Sequence, residues 1–305
     1  MIVIDKIKKH FRNFKHFIFV ITSLSLLLFL AVLIITPIIL TMSNSFMASS
    51  EISSNYGKIF SNVTSGSKSY IAETINLKII PDLIDFGQYI TVLIKSPQYL
   101  LKFWNSVILV VPIMVFQIVL ALAAAYCFAR FTGRIREMIF FTYIVLMLMP
   151  YQVTLVPNYL VSNWIGILNT RWSIILPGIF APFSVFILTK YMRRIPSSMS
   201  EAAKIDGANE LQIFAKVYVP LCKSTIYSVA ILVFIDYWNM VEQPLILLSD
   251  SEMHPLSVFL SKINSGDVGL AFAVATIYMV PTLLVFLYSE DYLIEGIAYA
   301  GGIKG

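Results

Sequence analysis

Charge, cysteine and histidine are all scarce in this chain. Asp, Glu, Lys and Arg make up 13% of its 305 residues, against roughly 25% in a soluble globular domain. An ordinary water-soluble fold is thereby excluded. The 2 cysteines, Cys127 and Cys222, lie at or beyond the ends of apolar runs and read as packing residues. The 3 histidines, His10, His16 and His254, are isolated and read as interfacial. No disulfide, metal constellation or nucleophile–base pair is expected, so no catalytic and no metal residue is assigned. No glycine-rich phosphate loop is present, so no cofactor is expected to bind this chain. Internal repeats and low-complexity tracts are absent too. The net charge of +5 follows from the charge asymmetry described below and carries no implication of nucleic acid.

Apolar sequence is what the chain has in abundance, 58% of it. It comes in runs of the length needed to cross a bilayer as a helix, about 20 residues. Six are read: Phe17–Leu40, Trp104–Ala129, Met138–Val156, Trp172–Tyr191, Thr225–Leu248 and Leu270–Tyr288. Prolines interrupt several of them (Pro112, Pro150, Pro177, Pro182, Pro244, Pro281). Membrane bundles tolerate this because neighbouring groups re-satisfy the freed carbonyls. The expected fold is an all-α integral membrane protein with six transmembrane helices. Along the chain it divides into a basic N-terminus (1–16), a first transmembrane helix (17–40), a long extracytoplasmic loop (41–103), a five-helix core (104–290) and a C-terminal tail (291–305).

Lys and Arg set the orientation, since they favour the cytoplasmic side. Most of them fall in the N-terminus, around Arg130–Arg136, in and beside residues 195–221, and in the tail. Both termini and the 195–221 loop are therefore expected to be cytoplasmic. The first run is too long for a signal-peptide core and lacks a convincing cleavage site, so an uncleaved first span is expected. In the external loop, Ser43–Ser69 reads as irregular. From Tyr70 onward, Ile71, Ile75, Leu77, Ile79, Ile80, Leu83 and Ile84 suggest short helices on the membrane surface.

The 195–221 loop carries its own helix signals. Pro196 stops the preceding span, Ser198 with Glu201 fits a capping box, and Gly207 can end the short helix that follows. Leu211, Phe214, Val217 and Tyr218 then share one side of a second helix before Pro220. Such a corner can dock a partner or lie on lipid headgroups. Within the fifth run, Asp236, Asn239 and Glu242 are spaced three apart with Tyr237 and Trp238 beside them. Ionisable groups at bilayer depth face a bundle interior or a wet cavity, and polar groups next to aromatic rings suit a sugar. These five are the candidate substrate path, with helix–helix adhesion as the ordinary alternative. Gln117 and Gln152 are weaker candidates of the same kind.

The string Glu201-Ala202-Ala203, Asp206-Gly207-Ala208, Phe214 and Val217-Tyr218-Val219-Pro220 resembles the EAA loop of permease subunits in binding-protein-dependent ABC importers. Val217 and Val219 stand where Ile and Leu are commoner. Asn105-Ser106, Ala124-Ala125-Tyr126, Pro150-Tyr151-Gln152-Val153, Gly166-Ile167-Leu168-Asn169-Thr170, Trp238-Asn239 and the terminal Ala300–Gly305 extend the likeness to the carbohydrate branch, specifically its maltose-type second permease. Glu290 and Asp291 depart from that pattern, and the external loop is longer than usual in it.

The resemblance implies a non-enzymatic transport subunit of a bacterial plasma membrane importer for carbohydrates, chiefly oligosaccharides. Its implied partners are a second homologous permease, two ATPase subunits that use ATP and Mg, an extracytoplasmic sugar-binding protein and membrane lipid. Glu201, Ala202, Ala203, Asp206, Gly207, Ala208, Phe214 and Pro220 would form the ATPase-coupling element, and Gly302, Lys304 and Gly305 a tail contact. The alternatives are a permease of the same superfamily for a non-sugar solute, or an ion-coupled secondary transporter using Asp236 or Glu242. The second of these leaves the Glu201–Pro220 string unexplained. A membrane-embedded enzyme would need clustered His, Asp or Cys at depth, which the sequence lacks.

Overall fold

Prolines break some apolar runs of this chain into separate helices, as at Pro150 and Pro182, whereas Pro112 and Pro281 lie inside continuous ones. In the computed structural model, which describes residues 2–52, 54–55, 78–262 and 268–301, regular structure is nearly all helical. Among the described residues, four helical stretches are long and apolar enough to cross a membrane: Phe17–Asn44, Pro97–Arg130, Trp172–Met192 (stepped at Phe180–Ala181) and Gly269–Tyr292. Two further pairs qualify only if each is taken as one broken span: Arg134–Met147 with Tyr151–Trp164, bent by 105°, and Glu210–Leu221 with Lys223–Trp238, bent by 75°. The chain divides into two compact units, Met1–Val92 with Asn264–Thr276, and Leu93–Ile263 with Ile277–Gly305.

In the first unit, α1 (Ile2–Asn44) exposes its apolar side chains all round from Phe17 to Ile35. That suits a helix solvated by lipid. Beyond it, Asp85 donates its backbone N–H to the Phe46 carbonyl at 2.8 Å, and an isolated antiparallel bridge joins Met47 to Ile84. The surface helices read over Ile79–Ile84 do not form: this stretch is bent and non-helical, with the Asp82 N–H donating to the Glu51 carboxylate at 3.1 Å and the Ile79 carbonyl accepting from the Ser43 hydroxyl. Ile71, Ile75 and Leu77 lie outside the described residues. Helix α2 (Gly87–Ile90) follows, continuing as a wider π turn over Thr91–Lys95.

The second unit is built on α3 (Pro97–Arg130), which starts seven residues ahead of the apolar run because Pro97 occupies its first turn. Around it pack α4 (Arg134–Met147), α6 (Trp172–Ile179), α7 (Pro182–Met192) and α10 (Lys223–Trp238), while α5 (Tyr151–Trp164) packs against α6. Between α7 and α10 lie α8 (Ser197–Ile205) and α9, which begins at Glu210–Ile213, widens to a π turn over Phe214–Tyr218 and ends at Val219–Leu221. Helices α11 (Glu242–Leu247), α12 (Leu256–Ser261) and α13 (Val268–Gly301) complete the order.

Two apolar clusters sit along α3. One gathers Leu109, Val110 and Ile113 with Ile174, Phe234, Trp238 and Leu247. The other gathers Ala121, Ala125 and Tyr126 with Leu188, Met192, Ile213, Tyr218 and Cys222. Between them the buried Gln117 donates from Nε2 to Ser184 Oγ at 2.6 Å, which ties α3 to α7. Of the two weaker polar candidates, Gln117 is thus engaged in helix adhesion.

Two expected spans differ from the structure. Met138–Val156 is not one helix: α4 ends in tight turns (Leu148 N to Val145 O, Met149 N to Leu146 O), Pro150 is extended, and Val153–Val156 belong to α5. Thr225–Leu248 breaks after Trp238. Pro244 has no N–H to offer the Met240 carbonyl, and that carbonyl instead accepts from Ser257 Oγ at 2.5 Å. The Trp238 carbonyl lies 2.7 Å from the Tyr278 hydroxyl. Loop residues hold the ends of these helices together. Asn105 Nδ2 donates to the Glu252 carbonyl at 2.6 Å and its Oδ1 accepts from Arg171 at 2.9 Å, while Ser106 Oγ accepts the Leu256 N–H at 2.9 Å. His254, read as interfacial, is buried with its ring nitrogen 2.9 Å from the Leu248 carbonyl.

Gly178 marks the closest approach of α6 to α3, since a Cβ there would stand 3.1 Å from Ile113. Gly178→Leu is expected to cost about 1–3 kcal/mol through overpacking, seen as a lowered melting temperature of the detergent-solubilised protein. Gly178→Ala should lower it much less.

Candidate functional site: a two-helix corner and a membrane cavity

Helix α8 begins at Ser197 behind an extended Pro196 and has no side-chain cap. The Ser198–Glu201 capping box does not form, because the helix already starts at Ser197: Pro196 takes the N-cap position and Ser198 lies inside the first turn. A capping box does form one helix later, at a site the sequence reading passed over. Asn209 Oδ1 accepts the Gln212 N–H, and the Gln212 side chain accepts the Asn209 N–H, both at 2.9 Å. The Asn-x-x-Gln pattern was there to be read.

Gly207 ends α8 as read from the sequence. Its φ is +80°, Ala208 donates to the Ala203 carbonyl at 2.9 Å and Gly207 to the Lys204 carbonyl at 3.0 Å. This is the six-to-one and five-to-two pairing of a glycine helix stop. The second helix buries Ile213 and Tyr218, with Phe214 and Val217 half-buried. Leu211, assigned to the same side, is instead 73% exposed. Pro220 cannot donate, and the turn before it widens so that Val219 N reaches Phe214 O. The break from α10 falls two residues later, at Cys222.

The corner presents Glu201, Ala202, Asp206, Gly207 and Pro220 to solvent, with Ala203 and Ala208 half-buried against the apolar cluster. Ile205, at the tip, is 87% exposed. Behind it, Glu210 accepts from Lys204 Nζ at 2.6 Å and from the Tyr126 hydroxyl at 2.6 Å. The Lys204 bond, and then the Tyr126 bond, hold the Glu210 carboxyl below the usual carboxylate range. The link is therefore present at neutral pH, persists through the ordinary carboxylate range, and is lost as pH falls through the lowered pKa. Gly302, Lys304 and Gly305 lie outside the described residues.

The second candidate site lies where helices break. One cavity of about 510 Å³ is lined by Tyr151, Asp236, Tyr237, Asn239, Glu242 and Gln243 among others. Another of about 480 Å³ shares Tyr151, Tyr237 and Gln243 and adds Asn158, Phe180 and Phe183. Both fall within the roughly 300–1,000 Å³ range of small-molecule sites. Glu242 Oε2 accepts from Gln152 Nε2 at 3.3 Å, and the Tyr237 hydroxyl donates to the Gly178 carbonyl at 3.3 Å.

Four of the five path residues thus meet, though not on one helix face as expected: Asp236 and Tyr237 end α10, Asn239 sits in the break and Glu242 opens α11. Trp238 is placed elsewhere. It is 1% exposed, stacked on Phe234 (5.2 Å between ring centroids) and Tyr278 (5.6 Å), with Nε1 donating to the Tyr278 carbonyl at 3.2 Å. One residue before Asn239 is about 100° round a helix, which turns this ring into the core. Tyr151 and Gln243 were missed; both flank a proline break, the signal that could have found them.

Residues 95–298 match the family of binding-protein-dependent transport system inner membrane components. The chain belongs to that family. The arabinooligosaccharides transport system permease protein AraQ of Halalkalibacterium halodurans is 29% identical over 236 residues, 76% of this chain and 84% of that protein. The lactose transport system permease protein LacG of Rhizobium radiobacter is 30% identical over 210 residues, 67% of this chain and 75% of that protein. Among solved structures, a bacterial ABC transporter involved in import of the acidic polysaccharide alginate superposes with a TM-score of 0.74 at 25% identity, covering 90% of this chain and 96% of that one. These relatives bear out the resemblance read from the sequence. The chain is a multi-pass membrane permease subunit, a transport component rather than an enzyme.

Gly207 has no atom within 4 Å of an added Cβ, so a side chain there meets only the backbone penalty, about 1–2 kcal/mol. Gly207→Ala should lower the melting temperature of the solubilised protein accordingly. Gly207→Asn should lower it less, because Asn tolerates this conformation.

Proposed function

We propose that this chain is the permease subunit of an ATP-driven bacterial importer for carbohydrates, chiefly oligosaccharides. The observation that carries the reading is the corner formed by α8 and α9, a rigidly capped element with an exposed apolar tip at Ile205. Such an element suits docking into a cleft of a separate ATPase, where Glu201, Ala202, Ala203, Asp206, Gly207 and Ala208 would make the contact and Phe214 and Pro220 would hold it. ATP and Mg belong to that ATPase pair. A second homologous permease, an extracytoplasmic sugar-binding protein and surrounding lipid complete the assembly. In this reading α4 with α5, and α10 with α11, each make one broken span, giving six, with both termini and the corner of α8 and α9 cytoplasmic. Helix breaks at membrane depth are tolerated where they line a cavity, and the cavity with Tyr151, Tyr237, Asn239, Glu242 and Gln243 is the proposed sugar path, with Asp236 on its wall. The C-terminal residues Gly302, Lys304 and Gly305 would reach toward the ATPase.

Affinity-tagged protein is expected to bring down an ATPase subunit, and Gly207→Asp to abolish uptake while leaving the protein in the membrane. A preparation without any ATPase, with Gly207→Asp importing normally, would defeat the coupling assignment. For the path, Glu242→Ala and Tyr151→Ala should cut oligosaccharide uptake at least about tenfold if hydrogen bonds to sugar are lost. Unchanged uptake in both would remove the cavity from the reading.

A further inference from the structure

Tyr126 belongs to a long span, yet its hydroxyl ends in the corner. Its ring is buried near the last turn of α3, packed by Phe214 at 5.2 Å and Tyr218 at 5.0 Å between centroids. Its hydroxyl donates to Glu210 Oε2 at 2.6 Å, while Glu210 Oε1 takes Lys204 Nζ from α8 at 2.6 Å. One carboxylate therefore joins three helices: α3, α8 and α9. Its direction is fixed, because Glu210 is the residue directly after the Asn209 cap and inside the Asn209–Gln212 box. Helix α8 itself is attached at the fully buried Ser200, at the half-buried Ala203 and through the Gly207 turn, with Glu201, Ala202, Ile205 and Asp206 exposed. A push on α8 can leave through the packed Ser200 and Ala203, through the turn at Gly207 and through the Glu210 carboxylate. The last of these is hydrogen-bonded to Tyr126 on α3 itself, the helix on which both apolar clusters of this unit are built. Hydrogen bonds to an ionised group are short and about twice as strong as neutral ones, which suits a joint that must transmit displacement.

We propose that Tyr126 and Glu210 are positioning residues for transport, and that their hydrogen bond carries movement of the coupling corner into the cytoplasmic end of α3. This rests on the docking role proposed for the corner. The competing route is apolar contact alone, through Ile213 and Tyr218.

The adjacent Cys127 supplies the readout, since it is exposed while Cys222 is buried. In the purified complex with its ATPase, the rate of Cys127 modification by N-ethylmaleimide would be compared without nucleotide and after trapping with ATP and orthovanadate. The wild-type rate is expected to change severalfold on trapping. Tyr126→Phe keeps the ring packing and removes only the hydroxyl; it should leave assembly and trapping intact and abolish the change. Glu210→Ala should do the same, and the double variant should add nothing. A wild-type-sized change in Tyr126→Phe, or trapping of the wild-type complex with no change at Cys127, would overturn the proposal. So would a Tyr126→Phe complex that merely melts earlier while keeping the change. If no ATPase accompanies the wild-type chain, the docking role itself falls and takes the proposal with it.

Discussion

A backbone carbonyl left without a donor inside hydrocarbon costs several kcal/mol, and that penalty shapes this permease more than any other. Prolines interrupt its spans, and each interruption frees carbonyls that something must satisfy. At the break after Trp238 the replacements are side-chain hydroxyls, Ser257 for the Met240 carbonyl and Tyr278 near the Trp238 carbonyl. Those two contacts hold open a chain path that no continuous helix could follow. The cavity lined by Tyr237, Asn239, Glu242 and Gln243 exists because the helix stops there. The same physics explains Asn105 and Ser106, whose side chains serve loop carbonyls and a loop N–H from Glu252 to Leu256.

Outside the span region the constraint changes. In the proposed topology water can serve the backbone of the α8–α9 corner, and the corner is held by local devices: a proline entry, a glycine stop, an Asn–Gln box and one carboxylate between two donors. These leave Glu201, Ala202 and Asp206 unburied while fixing their placement. Rigidity with exposure is an uncommon combination for a loop, and it is what a mechanical contact needs.

Much of this was legible in the sequence, and the failures have common causes. Apolar runs marked the helices because hydrocarbon length leaves little choice. Gly207 announced a helix stop because few residues accept a φ of +80°. The breaks were harder: Pro150 and Pro244 were visible, but their effect depended on whether distant groups such as Ser257 could serve the freed carbonyls. Ser198 and Glu201 matched a capping pattern that Pro196 made unnecessary. Trp238 beside acidic residues looked like a sugar platform, yet its helical angle sends it between Phe234 and Tyr278. Spacing gives faces only while the helix lasts; Glu242 joined the polar group through the break.

The hydroxyl of Ser257 reaches the Met240 carbonyl from seventeen residues away, on a helix that lines neither cavity. A backbone donor belongs to every residue except proline, whereas a side-chain donor is erased by almost any change at its codon. The wall of the cavity is therefore heritable at a position that no inventory of wall residues would contain. With this cavity as the proposed sugar path, selection for altered cargo can remodel it from behind, by altering what props the chain open and leaving every wall residue as it is.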